Sequence, residues 1–568
     1  MIMMRLMLHR IAKRWSGSPA GWGRRDTRAF SKTGLPLALL VGLALILSAC
    51  GGRTTPVDRA NTEKILLIGN GAEPKDLDPQ ITTGAGEAVI HQALFEGLVT
   101  LDPATLDPIP GVAEAWTLSE DGRTYTFHLR PDARWSNGDP VTADDFAFAY
   151  QRMLSPRLGA EYAYNLYYLK NARAYHRGDT DDFSTVGVSA PDPHTLILEL
   201  DNPTPFFLTL LNHPSWFPVH PPTILAHGAI DQIGSRWTRA GSHVGNGPFR
   251  LKRWNVNEVV EVERNPYYWD AETVRLNGIR FYPIVDQNTE ERAFRAGQLH
   301  ITYTLPLSKL PAYERSGSPM LRLDPDLGTY YFLFNTTRGA LADPKVRRAL
   351  SLAIDREAIS QGIRQRGEEA ATHFTPPDIH GYTPPSLHHY DPEKARRLFA
   401  EAGYPDGRGF PVFELLYNTS ETHRPIAEAV QAMWRKELGI DIRLRNQEWR
   451  VFLDSRSRGE FDILRGGWLG DYYDPNTFLD LFTSDSTNNN SGWTHPDYDR
   501  LIAEAARISD EEKRQALFFE AETLLLEDAV IAPVFFYNRA YLMRPEVEGW
   551  PPNALNHRLF KQVDLQVD

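Results

Sequence analysis

Two periods of apolar and polar residues alternate along the chain. Short runs rich in β-branched and aromatic residues, KILLIG (Lys64–Gly69), TYTFHLR (Thr124–Arg130) and HTLILEL (His194–Leu200), predict strands. Between them lie longer amphipathic stretches with marked starts. In TADDFAFAYQRML, Thr142 stands at an N-cap, and Asp144 and Asp145 fall in the first turn, where the helix dipole favours acids. Asp343-Pro344 and Asp391-Pro392 each set a capping Asp before a proline at the first helical position. The second of these helices, EKARRLFAEAG, ends at Gly403, a residue type suited to a left-handed cap. From His423 the order is helix RPIAEAVQAMWRKEL, strand GIDIRLR, helix EWRVFLDSR and strand EFDIL. The chain then enters a glycine-rich loop within ILRGGWLGDYYDPNTFLD, Ile463–Asp480. Strand and helix alternating in this way predict an α/β fold. Asp471 is expected just past a strand's carboxyl end, where α/β sheets commonly bind ligands.

Length and charge narrow this picture. At 568 residues, the chain is long enough for several domains, and 42% hydrophobic residues can fill their cores. Eight basic residues and one acid precede Cys50, which leaves residues 50–568 at a formal charge of −19, against −12 for the whole. That excess of acid argues against nucleic acid, whose binding relies on basic patches. The basic start is followed by an apolar run of 13 residues, Leu35–Leu47, and then Ser48, Ala49 and Cys50. This order reads as an export signal, residues 1–49, because the apolar run falls short of the roughly 20 residues a membrane span needs. Cys50 is the only cysteine, so its thiol has no disulfide partner within the chain.

Enzyme motifs are absent. The chain has no G-x-S-x-G, H-E-x-x-H, P-loop or S-x-x-K pattern. GNG at Gly69–Gly71 lacks the further glycine spacing of a nucleotide loop. His373, His380, His388 and His389 fall in a proline-rich stretch, HFTPPDIHGYTPPSLHHY, which reads as an exposed loop and not as a metal centre. No cofactor is expected.

Longer stretches carry a resemblance. LSAC resembles the lipobox of bacterial lipoproteins, which makes Cys50 the lipidation site and residues 50–61 a polar tether. LFEGLVTLDPATLDPIPGVAEAWTLSEDGRTYTFHLRPDARWSNGDPVTADDFAFAYQRML is similar to the N-terminal signature of solute-binding proteins of peptide ABC importers. NGPFRLKRW (Asn246–Trp254), ERNPYYWD (Glu263–Asp270) and the region from LLYNTSETHRP to LGDYYDP fit the same family. The resemblance implies an α/β type II periplasmic-binding-protein clamp: two lobes with a hinge, plus an extra domain. One lobe would comprise residues 62–95, 220–322 and 539–568, the extra domain 96–219, and the second lobe 323–538, with the hinge near Leu323 and Asn538. It further implies a monomer without cofactor or metal that binds short peptides, is held to a membrane by lipid and delivers its cargo to permease subunits. Narrower relatives for murein tripeptides or dipeptides, or a periplasmic chaperone, are the alternatives.

The family resemblance also assigns residues. Asp471, in WLGDY, would pair with the peptide's α-ammonium through a charge-assisted hydrogen bond. Gly467, Trp468 and Leu469 on one side and Thr83, Gly84 and Ala85 on the other would pair with the peptide backbone by strand addition. Trp468 and Tyr472 would shield the acid from water. Arg465, His423 and Arg364 would receive the terminal carboxylate. At Arg364 the family's lysine is replaced by a planar fork, and Thr83 stands where the family has a glutamate.

Overall fold

The computed structural model describes residues 54–364, 368–420, 422–484, 486 and 488–566. The Cys50 assignment lies outside them. Residues 55–568 cluster as one compact unit, built on three principal sheets. The first joins Ile65–Gly69, Gly278–Tyr282, Val259–Arg264 and Phe249–Asn255 in that spatial order, with a single parallel pair at the 65–69 edge. The second is an antiparallel sheet of Ala113–Leu118, Thr124–Leu129, Thr195–Glu199 and Val188–Asp192. The third has five strands, labelled here β1 (Leu321–Phe334), β2 (Glu414–Asn418), β3 (Arg443–Gln447), β4 (Ile463–Leu469) and β5 (Ile531–Leu542). Their order is β3-β2-β4-β1-β5, with β2 parallel to both β3 and β4, and β1 antiparallel to β4 and β5.

Local sequence explains most element starts. Asp343 accepts from the Lys345 amide at 2.8 Å, and Asp391 from the Lys394 amide at 2.9 Å, each before its N1 proline. Asp145 reaches back to the Thr142 amide at 2.9 Å, opening the helix Ala143–Met153. Two expectations shift. The strand read in GIDIRLR begins only at Arg443, because Gly439 is spent as the left-handed cap of His423–Leu438 and Ile440 and Ile442 are drawn into the core. EFDIL also starts late, and its strand runs on through the glycines to Leu469. His388 is not exposed: it is fully buried, bonded to Ser351 Oγ at 2.5 Å and to the Leu526 carbonyl at 2.7 Å.

The first two sheets share one hydrophobic core. A buried ion pair reinforces it, with Arg152 bidentate on Asp78 at 2.5 and 3.1 Å and also bonded to Gln80. The third sheet is packed by separate cores on its two faces. β1 and β5 form a long ribbon that continues past this sheet: Leu542 meets Thr302, beside the first sheet's edge. Its register shifts twice, first between Pro325 and Thr329 and again between Tyr330 and Tyr331. Pro325 faces Asn538 and Thr329 faces Phe536, so Asp326, Leu327 and Gly328 oppose the single residue Tyr537. The surplus residues bulge, and the bulge meets the end of β4, where the Gly470 amide donates to the Leu327 carbonyl at 2.7 Å.

Among the described residues, no helix is long and apolar enough to cross a membrane.

Candidate functional site

β4 carries the site because of its glycines. Gly466 lies opposite Tyr331, and a Cβ there would come within 2.3 Å of the tyrosine ring. At Gly467 a Cβ would meet Tyr537 Oη at 2.5 Å and Arg465 Nη2 at 3.1 Å. Glycine in a strand marks such close approaches, and here it lets the strand persist where a loop was expected. β2 pairs with β4 only at Ile463 and Leu464. From Arg465 to Leu469, one edge of β4 therefore has no strand neighbour among the described residues, and its backbone groups are available to an added strand.

Beyond Leu469 the chain turns into a braced loop. The Asp471 amide donates to Thr477 Oγ1 at 3.1 Å, and the Trp468 indole donates to the Thr477 carbonyl at 2.6 Å. Asp474 takes both arms of the Arg514 guanidinium at 2.6 and 2.7 Å, with both side chains almost fully buried. This fork fixes the loop, and the Asp471 carboxyl is thereby held in a cavity of about 560 Å³. Thr83, Gly84, Ala85 and Leu469 line the same cavity, so the structure brings these five predicted residues together. Gly84 is confined on its far side, where a Cβ would lie 2.0 Å from the Glu87 carboxylate.

The electrostatics centre on Asp471. Burial pushes its carboxyl up to about 6, offset in part by a hydrogen bond from the Tyr164 hydroxyl at 3.2 Å. Among the described residues, no Lys, Arg or His stands within ion-pair distance of it. Burial, and then the Asp471 charge, raise nearby Asp480 to about 8. The rings beside Asp471 are Tyr162 and Tyr164, not the expected Trp468 and Tyr472. Trp468 is tied to Thr477. Tyr472 faces away, stacked on Phe206 at 4.8 Å and 11°. Among the described residues between 323 and 538, Tyr472 alone joins the core of the first two sheets.

The predicted cations fall in a second group, reached from the cavity through Tyr537. Arg465 Nη2 donates to Tyr537 Oη at 2.7 Å, and its guanidinium lies 4.8 Å from the Tyr330 ring centroid. Burial opposes this charge, but the phenols of Tyr537 and Tyr330 hold it above its ordinary value. His423, at the start of the helix His423–Leu438, packs on the same Tyr330 ring at 5.7 Å. Arg465 and Asp471 are six residues apart, which bounds their backbone separation at roughly 20 Å. Arg364 ends the turn Ser360–Arg364; the assignment made for its side chain lies outside the described residues.

Sequence reasoning missed Tyr162, Tyr164, Tyr537, Asp326 and Arg539, of which all but Tyr164 line the cavity. The tyrosine-dense run YAYNLYY, Tyr162–Tyr168, was the available signal for the first two.

Comparison with known proteins agrees with this architecture. Residues 107–490 match the family described as bacterial extracellular solute-binding proteins, family 5 Middle. The periplasmic oligopeptide-binding protein OppA of Salmonella typhimurium is 36% identical over 535 residues, covering 92% of this chain and 96% of that protein. The periplasmic murein peptide-binding protein MppA of Escherichia coli is 38% identical, covering 85% and 89% respectively. Haemophilus influenzae OppA, solved in complex with RPPGFSPFR, superposes with a TM-score of 0.75 at 34% identity, covering 89% of this chain and 99% of that one. The chain belongs to the family 5 extracellular solute-binding proteins, two-lobed α/β clamps that bind a solute and catalyse no reaction.

Proposed function

We propose that this protein captures short peptides with free termini between its lobes and hands them to the permease of an ABC importer. One observation carries the reading: a half-buried carboxylate, Asp471, lines the cavity with a phenol as its only side-chain donor among the described residues. An ammonium group supplies the charge that such a carboxylate lacks. The open edge of β4 from Arg465 to Leu469 supports backbone pairing that is indifferent to peptide sequence, with Thr83–Ala85 across the cavity. Arg465 and His423, gathered on Tyr330, suit the other terminus. Relatives named for oligopeptide binding in the periplasm support the same substrate class and compartment. A lipid on Cys50 would hold the protein, acting as a monomer without cofactor, at the membrane that contains the permease.

The test is calorimetric titration with Ala-Ala-Ala and its N-acetylated form. The free amine should bind and the acetylated form should bind poorly; equal affinities would remove Asp471 from its role. Cys50→Ser should shift the protein from membrane to soluble fractions, and a variant that stayed with membranes would contradict the anchor. A narrower reading, murein peptides, is favoured by the 38% identity to MppA. Mass spectrometry of ligand that co-purifies in the cavity separates the two, since a murein peptide contains diaminopimelate and D-amino acids.

A further inference from the structure

The cavity contains a cation that the recognition of peptide termini leaves unused. Arg539 lies on β5, paired in register with Asp324 on β1, just before the ribbon's bulge. Its side chain is 16% exposed and lines the cavity together with Asp326, Tyr303 and Asp471. Two acids are near it, but neither is within hydrogen-bond reach: Asp324 Oδ2 stands 3.6 Å from Nη2 and Asp326 Oδ1 stands 3.5 Å from Nη1. Asp324 is already engaged, since the same Oδ2 accepts from Tyr541 Oη at 2.8 Å and from Arg558 Nη2 at 3.2 Å. Among the described residues, Arg539 Nη2 is buried without a hydrogen-bond acceptor.

Arg558, the cavity's other guanidinium, is committed. It donates to the Pro551 carbonyl, to Asn556 Oδ1 at 3.1 Å and to Asp324. Among the described residues, Arg539 is therefore the cavity guanidinium with spare donor capacity, and a buried donor left unmet costs stability until something accepts from it. A planar fork suits a carboxylate above other acceptors. Asp326, 27% exposed on the bulge, is the competing anion, and a ligand must displace it or take the fork's other edge. β5 is two strands from β4, roughly 10 Å to the side of the strand that leads to Asp471. A peptide held by its ammonium at Asp471 would bring one of its first two side chains to that distance.

We infer that Arg539 is a specificity residue, which binds the side-chain carboxylate of an acidic residue at the first or second position of the bound peptide. This rests on the peptide-binding reading above and adds a substrate class to it. The test compares Glu-Ala-Ala and Ala-Glu-Ala with Gln-Ala-Ala and Ala-Gln-Ala by calorimetry, with Ala-Ala-Ala as the reference ligand. The wild type should bind one Glu peptide roughly tenfold or more tightly than its Gln counterpart, as for a hydrogen bond to a charged group. Arg539→Gln should abolish that difference while keeping its affinity for Ala-Ala-Ala. Asp326→Asn, which removes the competing acid, should widen the difference, and it decides the matter if the Arg539 variant fails to fold. No Glu preference in the wild type, or a preference that survives Arg539→Gln, would overturn the inference while leaving peptide binding intact. Failure of every free-amine peptide, Ala-Ala-Ala included, would overturn both.

Discussion

Asp471→Asn removes one charge, keeps the shape of the side chain and leaves a carbonyl oxygen for the Tyr164 hydroxyl. Burial pushes the carboxyl up to about 6 from an ordinary 3.8. At about 1.4 kcal/mol per pH unit, ionising it inside the fold costs about 3 kcal/mol. The sign follows from the direction of the shift. A raised folded-state value means that this cost is absent below pH 3.8, grows as pH rises and is complete above about 6. The asparagine variant should accordingly be more stable than wild type at pH 7.5, by up to about 3 kcal/mol in urea denaturation. That gap should close as pH falls from 6 towards 4. Binding should move the opposite way. Leaving a buried ammonium without its partner costs about 2–5 kcal/mol, roughly 30-fold to several-thousandfold in affinity for Ala-Ala-Ala by calorimetry at pH 7.5. Wild-type affinity should itself weaken as pH drops through about 6, because the acid is protonated before the amine arrives. A variant that binds as tightly as wild type, or that is less stable at pH 7.5, would refute the reasoning.

Two further substitutions probe the frame around the acid. Gly466→Ala places a methyl 2.3 Å from the Tyr331 ring and should lower stability by about 1–3 kcal/mol through overpacking; an unchanged urea midpoint would show that β4 does not approach β1 so closely. Arg465→Met should weaken binding of peptides with a free carboxyl terminus and remove the preference for them over C-terminal amides, measured in paired titrations. If that preference remained intact, the carboxylate role would pass to another cation.

The sequence was most legible where structure is local. Asp343 and Asp391 cap their helices by bonds to amides two and three residues away, so four-residue windows contain the whole cause. The strand through Gly466 and Gly467 was misread because its stability comes from Tyr331 and Tyr537, which are remote in sequence and need the glycines' missing side chains. His388 was misread for a similar reason: a proline-rich setting says nothing about the Ser351 and Leu526 groups that receive its ring. At the site, Asp471 could be found in a short motif, but Tyr164 approaches it from 307 residues away. Arg539 in YNRAYL looks like any strand-edge charge. Its place in the cavity depends on a bulge in the opposing strand that no window around it contains.

The contact between Phe206 and Tyr472 has a bearing on the conditions this molecule tolerates. Stacked rings rely on an attraction that dissolved ions do not screen. A contact of this kind holds when the salinity of its surroundings rises or falls. Swings in ionic strength would alter how fast charged cargo finds the entrance, and would leave this stack unchanged.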